Sequence, residues 1–181
     1  MKKLIISILF LNIYAFDLSK QSIVYLFKKN YFSFICQHRW QYINKYVGKR
    51  EDLLSLVGYS CLKKHQLTLA LDVAKALRFT KDGRINANYI ATLFNIKTIL
   101  IRYVYNDKIS LNLINIPYSF DDDLGKVFYL VKIQKPVVKN NSFLVQTKDG
   151  ETINVFYDVK NNNFILKFYK NSKLIKKEKY W

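Results

Sequence analysis

Two short windows, ICQHRW at residues 35–40 and SCLKKH at 60–65, hold both cysteines and both histidines of this chain. Thiolate and imidazole are the ligands of tetrahedral zinc, two thiols make a disulfide, and a cysteine beside a histidine is the start of nucleophilic catalysis. Spacing separates these chemistries. On a helix, Cys36 and His38 point about 200° apart, so both cannot face one metal ion, nor can one activate the other. Cys61 and His65, at i and i+4, share a face. The four residues therefore supply three ligands at most where a closed zinc site needs four. No metal is expected, which leaves a Cys36–Cys61 disulfide as the favoured reading and two buried thiols as the alternative.

Other catalytic equipment is sparse. The one carboxylate cluster, Asp121-Asp122-Asp123 in YSFDDDLGK, runs consecutively, whereas a calcium loop places its ligands at alternate positions around a glycine turn. It reads as a solvated connection between strands. Neither histidine has an obvious serine and carboxylate beside it, and HExxH, GxSxG and a glycine-rich phosphate loop are all missing from the sequence. The chain is expected not to be an enzyme and to need no cofactor.

The elements that position the cysteines follow from periodicity. From Ser19 to about Val47 apolar residues recur at helical spacing, with Asn30 as the break between two helices and Gly48 as the stop. A third helix is expected from an Asp52 N-cap to about Lys64, and a fourth from about Leu67 to Phe79, followed by an Asp82-Gly83 turn. A further helix spans about Asn86 to Tyr105, and Asn95, Lys97 and Arg102 argue against its crossing a membrane. A loop as short as that at Gly48 makes its flanking helices antiparallel. Cys36 lies twelve residues before Gly48 and Cys61 thirteen after it, so the two thiols are expected at one height.

Whether they oxidise depends on compartment. Residues 1–15, MKKLIISILFLNIYA, combine Lys2 and Lys3, a short apolar run and Ala15 at a cleavage position, as an export signal does. The mature chain is expected to begin near Phe16 and to reside in the periplasm or be secreted.

The helical half also repeats. FKKNYFSFICQHRW (27–40) and LKKHQLTLALDVAK (62–75) align at a separation of 35 residues, in the range of helical-hairpin repeats. In LLSLVGYSCLKKHQLTLALDVAKAL, Leu54, Val57, Gly58, Ala70 and Ala74 stand at the packing positions of a tetratricopeptide unit. Residues 18–105 thus resemble a tetratricopeptide-like or Sel1-like repeat. Cys61 and Leu77 replace the Tyr and Ala of that pattern, and an ordinary helical bundle has the same periodicity. The resemblance implies a stack whose concave face binds proteins.

After Asn106-Asp107 the period becomes that of strands. ISLNLINI, VFYLVKI, SFLVQTK, ETINVFYDV, FILKFYK and KLIKKEKYW suggest an antiparallel meander of five or six strands, its last strand a lysine-protected edge. The expected fold class is α+β: signal peptide 1–15, helical-repeat domain 16–106, antiparallel β domain 107–181.

With 50% apolar and 16% aromatic residues the chain should fold. Its net charge of +17 is uneven: residues 16–106 carry 15 basic and 5 acidic side chains, net +10, and residues 107–181 carry 13 and 8, net +5. Two function classes compete. One is an envelope adaptor or scaffold, an accessory of a larger assembly such as secretion or flagellar machinery. The other is a basic protein binding glycan, lipid headgroup phosphate or, last among these, nucleic acid. Lys28, Lys29, Lys63 and Lys64 are the candidate contacts for an acidic partner.

Overall fold

The computed structural model describes residues 17–105 and 121–181, with 109, 111, 114–117 and 119 between them. The export signal expected at 1–15 lies outside the described residues. Among the described residues seven α-helices precede a four-stranded antiparallel sheet: α1 (Ile23–Lys28), α2 (Phe32–Gln37), α3 (Arg39–Tyr46), α4 (Glu51–Lys63), α5 (Leu67–Ala74), α6 (Lys81–Val104), α7 (Asp123–Gln134), then β1 (Ser142–Gln146), β2 (Thr152–Asp158), β3 (Asn163–Lys170) and β4 (Lys173–Tyr180). The strands neighbour one another in chain order, so the fold is α+β with a β-meander.

The 35-residue offset is visible in the backbone. Helix α1 ends with Asn30 at φ 59° and α4 with His65 at φ 54°, both left-handed. Tyr31 N–H donates to Leu26 O and Asn30 N–H to Phe27 O, each at 3.0 Å; one offset later, Gln66 N–H donates to Cys61 O at 3.0 Å and His65 N–H to Leu62 O at 2.8 Å. Each is a Schellman stop, which satisfies the last carbonyls of a helix through one left-handed residue. Each corner also begins the next helix alike, Ile35 N–H donating to Tyr31 O and Ala70 N–H to Gln66 O.

The chain breaks again at His38, which ends α2 and begins α3, a division the sequence pattern did not resolve. Asp52 is not the N-cap of α4: Arg50 holds that position, and Asp52 instead takes two hydrogen bonds from the Arg50 guanidinium. Neighbouring Glu51 is buried and holds the segment that leads into α6. Its carboxylate accepts from the N–H groups of Arg78, Phe79 and Thr80 and from the Thr80 hydroxyl, while Thr80 caps Gly83 N–H. The Asp82-Gly83 pair expected as a turn is therefore the first turn of α6. A Cβ on Gly83 would stand 2.1 Å from Glu51 Oε2, so the glycine serves close approach and not chain reversal.

Two apolar cores result. One joins α1–α5 to the first half of α6 through Leu26, Ile35, Leu54, Val57, Val73, Leu77 and Ile90. The other joins the second half of α6 and helix α7 to the inner sheet face, with Ile96, Leu100, Val127, Phe128, Val145, Val155, Phe164, Leu166 and Tyr180. The segment VFYLVKI, expected as a strand, lies in α7. Asp122 caps it by accepting from Leu124 N–H at 2.8 Å, and Leu124, Val127, Phe128 and Val131 bury one helical face. Within ISLNLINI, none of the described residues is in a strand. Among the described residues the meander has four strands and not five or six. Its Asp149-Gly150 hairpin is present, with Gly150 at φ 78°, as is the Asn171-Ser172 turn with both residues at positive φ.

An amphipathic groove and an acidic cleft

Cys36 of α2 and Cys61 of α4 are bonded to each other, with a Cα–Cα distance of 4.9 Å, and both are fully buried. The bond ties the second helix of one corner to the first helix of the other. His38 Nδ1 is bonded to Phe34 O at 2.9 Å and its ring stacks on Phe34. His65 joins the helices to the sheet. Its Nε2 lies 2.5 Å from Glu178 Oε2 of β4, and its ring meets Tyr180 edge-on. Among the described residues no group of three His, Cys, Asp or Glu side chains could hold a metal ion.

Leu54, Val57, Gly58 and Ala70 are buried in the helical core, and Ala74 packs against it. A Cβ on Gly58 would lie 2.9 Å from Ile90 Cδ1 and 3.6 Å from Val73 Cγ1. The glycine thus lets α6, as well as α5, close on α4.

That convergence leaves an open groove of about 370 Å³ between α1, α4 and α6. Phe27 of α1, Leu56, Tyr59 and Leu62 of α4, and Tyr89 and Ile90 of α6 line it. Polar atoms are few, and Asn86 Nδ2–H is already engaged with Ser55 Oγ at 2.9 Å. Tyr59 and Tyr89 are 45% and 39% exposed although both are large rings. The position of Tyr59 follows from the helix period: Ser55, Leu56, Tyr59 and Leu62 form a stripe beside the core stripe Leu54, Val57, Gly58 and Cys61.

Tyr59, Leu62 and Tyr89 also wall a second cleft of about 530 Å³, whose chemistry is opposite. Lys63 and His65 enter it from the end of α4, Asp121, Asp122 and Asp123 from the start of α7, and Lys176, Glu178 and Tyr180 from β4. Lys176 Nζ lies 2.5 Å from Asp123 Oδ2 and 3.0 Å from Glu178 Oε1. Burial raises the Asp122 carboxyl above the usual carboxylate range against the opposing Leu124 hydrogen bond. Burial, and then the charges of Asp122, Asp123 and Glu178, push the Tyr180 phenol far up. Tyr180 is 2% exposed and its hydroxyl has no hydrogen-bond partner among the described residues.

The lysine pairs stand apart from one another in role. Lys28 and Lys29 close α1, Lys63 and Lys64 close α4, and all four are exposed. Cations there complement the negative end of a helix, which is a local reason for both pairs. Lys63 alone of the four lines the acidic cleft. The Asp121–Asp123 run, read in the sequence as a strand connection, is instead a helix start facing that cleft. Tyr59, Tyr89, Glu178 and Tyr180 carried no sequence signal beyond periodicity. Their meeting needs β4 to lie against the α4–α5 corner, where Trp181 N–H donates to His65 O at 3.0 Å. Among the described residues no helix is long and apolar enough to cross a membrane. No known protein family, curated protein or solved structure matches the chain.

Proposed function

We propose that this chain is an exported, non-enzymatic adaptor of the cell envelope that binds another protein through the α1–α4–α6 groove. The observation that carries the reading is the groove itself, an apolar concavity of about 370 Å³ lined by two half-exposed tyrosines. Tyrosine offers large, rigid contact area with a polar tip and is over-represented at binding hot spots. Paired Schellman corners one 35-residue offset apart support describing α1–α2 and α4–α5 as units of a tetratricopeptide-like stack, whose concave face is the usual receptor surface. The buried Cys36–Cys61 bond favours an oxidising compartment such as the periplasm.

The alternative is a polyanion binder using Lys28, Lys29, Lys63 and Lys64. Salt separates the two, because exposed charge pairs are screened within about 8 Å at physiological ionic strength and within about 3 Å near 1 M, while apolar burial is not. Affinity purification from the envelope fraction at about 0.5 M salt should retain one stoichiometric protein partner, and a Tyr59→Ser, Tyr89→Ser variant should lose it. Retention only of glycan or lipid, released completely at that salt, would favour the lysines as the site. Intact mass of the native protein should place its N-terminus near Phe16; a cytosolic chain keeping Met1 to Ala15 contradicts export.

A further inference from the structure

We infer that the acidic cleft receives an arginine side chain of the same partner segment whose apolar residue fills the groove. This rests on the adaptor reading above and names the chemistry of its partner. In a protein of net charge +17, the cleft gathers four carboxylates, Asp121, Asp122, Asp123 and Glu178, against two lysines, Lys63 and Lys176. It is an acidic patch on a basic molecule, so a cationic group is drawn to it and repelled elsewhere.

Half of the cleft already holds a cation of this chain. Lys176 bridges Asp123 and Glu178, which demonstrates the chemistry the wall accepts. The other half holds no lysine or arginine: among the described residues neither is ion-paired with Asp121 or Asp122, and the nearby basic group is His65, already engaged with Glu178. Asp121 Oδ2 accepts from Ser119 Oγ, at 3.1 Å, and Asp122 accepts from the N–H groups of Leu124 and Gly125.

Beside them stands Tyr180, 98% buried by its 2% exposure, with its oxygen unpartnered. Native proteins rarely leave a buried hydroxyl so. Two carboxylates without a lysine or arginine partner and an unpartnered phenol oxygen stand together. An anion would be repelled, and a neutral amide would leave the carboxylates uncompensated. A planar guanidinium carries the charge and five N–H donors, enough to serve all three acceptors at once. Tyr59, Leu62 and Tyr89 belong to both walls, so a residue in the groove and one in the cleft can be neighbours on one segment.

The test uses the full chain and four probes followed by chemical-shift changes at Tyr59 and Tyr180: acetyl-Leu-Phe amide, acetyl-arginine amide, acetyl-Leu-Phe-Arg amide, and its neutral citrulline counterpart. The arginine tripeptide should bind about ten-fold tighter than the citrulline one, the gain of a charge-assisted contact. Asp121→Asn with Asp122→Asn should bring that ratio to about one. Asparagine is itself a competent N-cap, so α7 survives the substitution, and an unchanged melting temperature confirms it. Tyr180→Phe should weaken only the arginine peptide, by about three-fold. A wild-type ratio of one overturns the inference; if acetyl-Leu-Phe amide still shifts Tyr59, the groove reading stands alone. If acetyl-arginine amide shifts Tyr180 but the apolar peptide binds nowhere, the cation site stands and the groove reading falls.

Discussion

The Tyr180 hydroxyl, buried with no partner among the described residues, is a stability defect that a purely structural tyrosine would not keep. Removing an unsatisfied buried polar group relieves about 1 to 3 kcal/mol of desolvation, so Tyr180→Phe should raise the urea midpoint of the free protein while impairing arginine-peptide binding. A lowered midpoint would show that the hydroxyl is satisfied in solution. Glu51 is the opposite kind of buried polar group. Burial opposes its ionisation, but the Thr80 hydroxyl and three backbone N–H groups outweigh it and hold its pKa at about 2. The folded value lies below the ordinary value of 4.5, so its stabilisation is complete above about pH 4.5 and is lost as pH falls toward 2. Glu51→Gln should destabilise by about 2 kcal/mol at pH 7 and flatten the acid limb of the stability profile between those values. An unchanged acid limb would remove Glu51 as its cause.

Among the elements, the pairing of Cys36 with Cys61 was legible because a hairpin places equal offsets from Gly48 side by side, and the helix break at Asn30 was legible from the polar residue that interrupts the apolar period. The extra break at His38 does not alter the outcome, since α2 and α4 still pack together. Closing a loop of 25 residues should stabilise by about 3.5 kcal/mol in the chain-entropy picture. Cys36→Ser with Cys61→Ser should lower stability by that order, measured by denaturant titration; a loss of a few tenths would mean the helical core alone fixes α2 on α4. Helix α7 was misread for a physical reason. VFYLVKI taken alone is a continuous apolar run, which strand and buried helix share, and the helical period emerges only when Asp122 and Leu124 are read with it. The acidic cleft was illegible because its members come from α4, α6, the start of α7 and β4. Gly58 illustrates the middle case: a small residue for close packing was foreseen, but Ile90 of α6 as the nearer neighbour was not.

At the scale of the molecule, charge and shape work in different places. The net +17 is spread over helix ends and the edge strand β4, whose lysines at 173, 176, 177 and 179 discourage pairing with another sheet, while the groove is apolar and its neighbouring cleft acidic. Reversing Lys28, Lys29 and Lys64 should therefore slow partner association and leave dissociation nearly unchanged, as charges outside a contact act mainly on encounter; surface plasmon resonance against the purified partner reads both rates. A faster dissociation would place those lysines inside the interface. The most direct test of the adaptor account puts a photo-crosslinking benzoyl-phenylalanine at Tyr59, on the wall shared by groove and cleft, and irradiates cells of the native host. The account predicts one discrete protein adduct from that position and none from the same probe at Phe79, which is exposed and lines neither site. Lipid or glycan adducts at Tyr59, or protein adducts of equal yield at both positions, would contradict it.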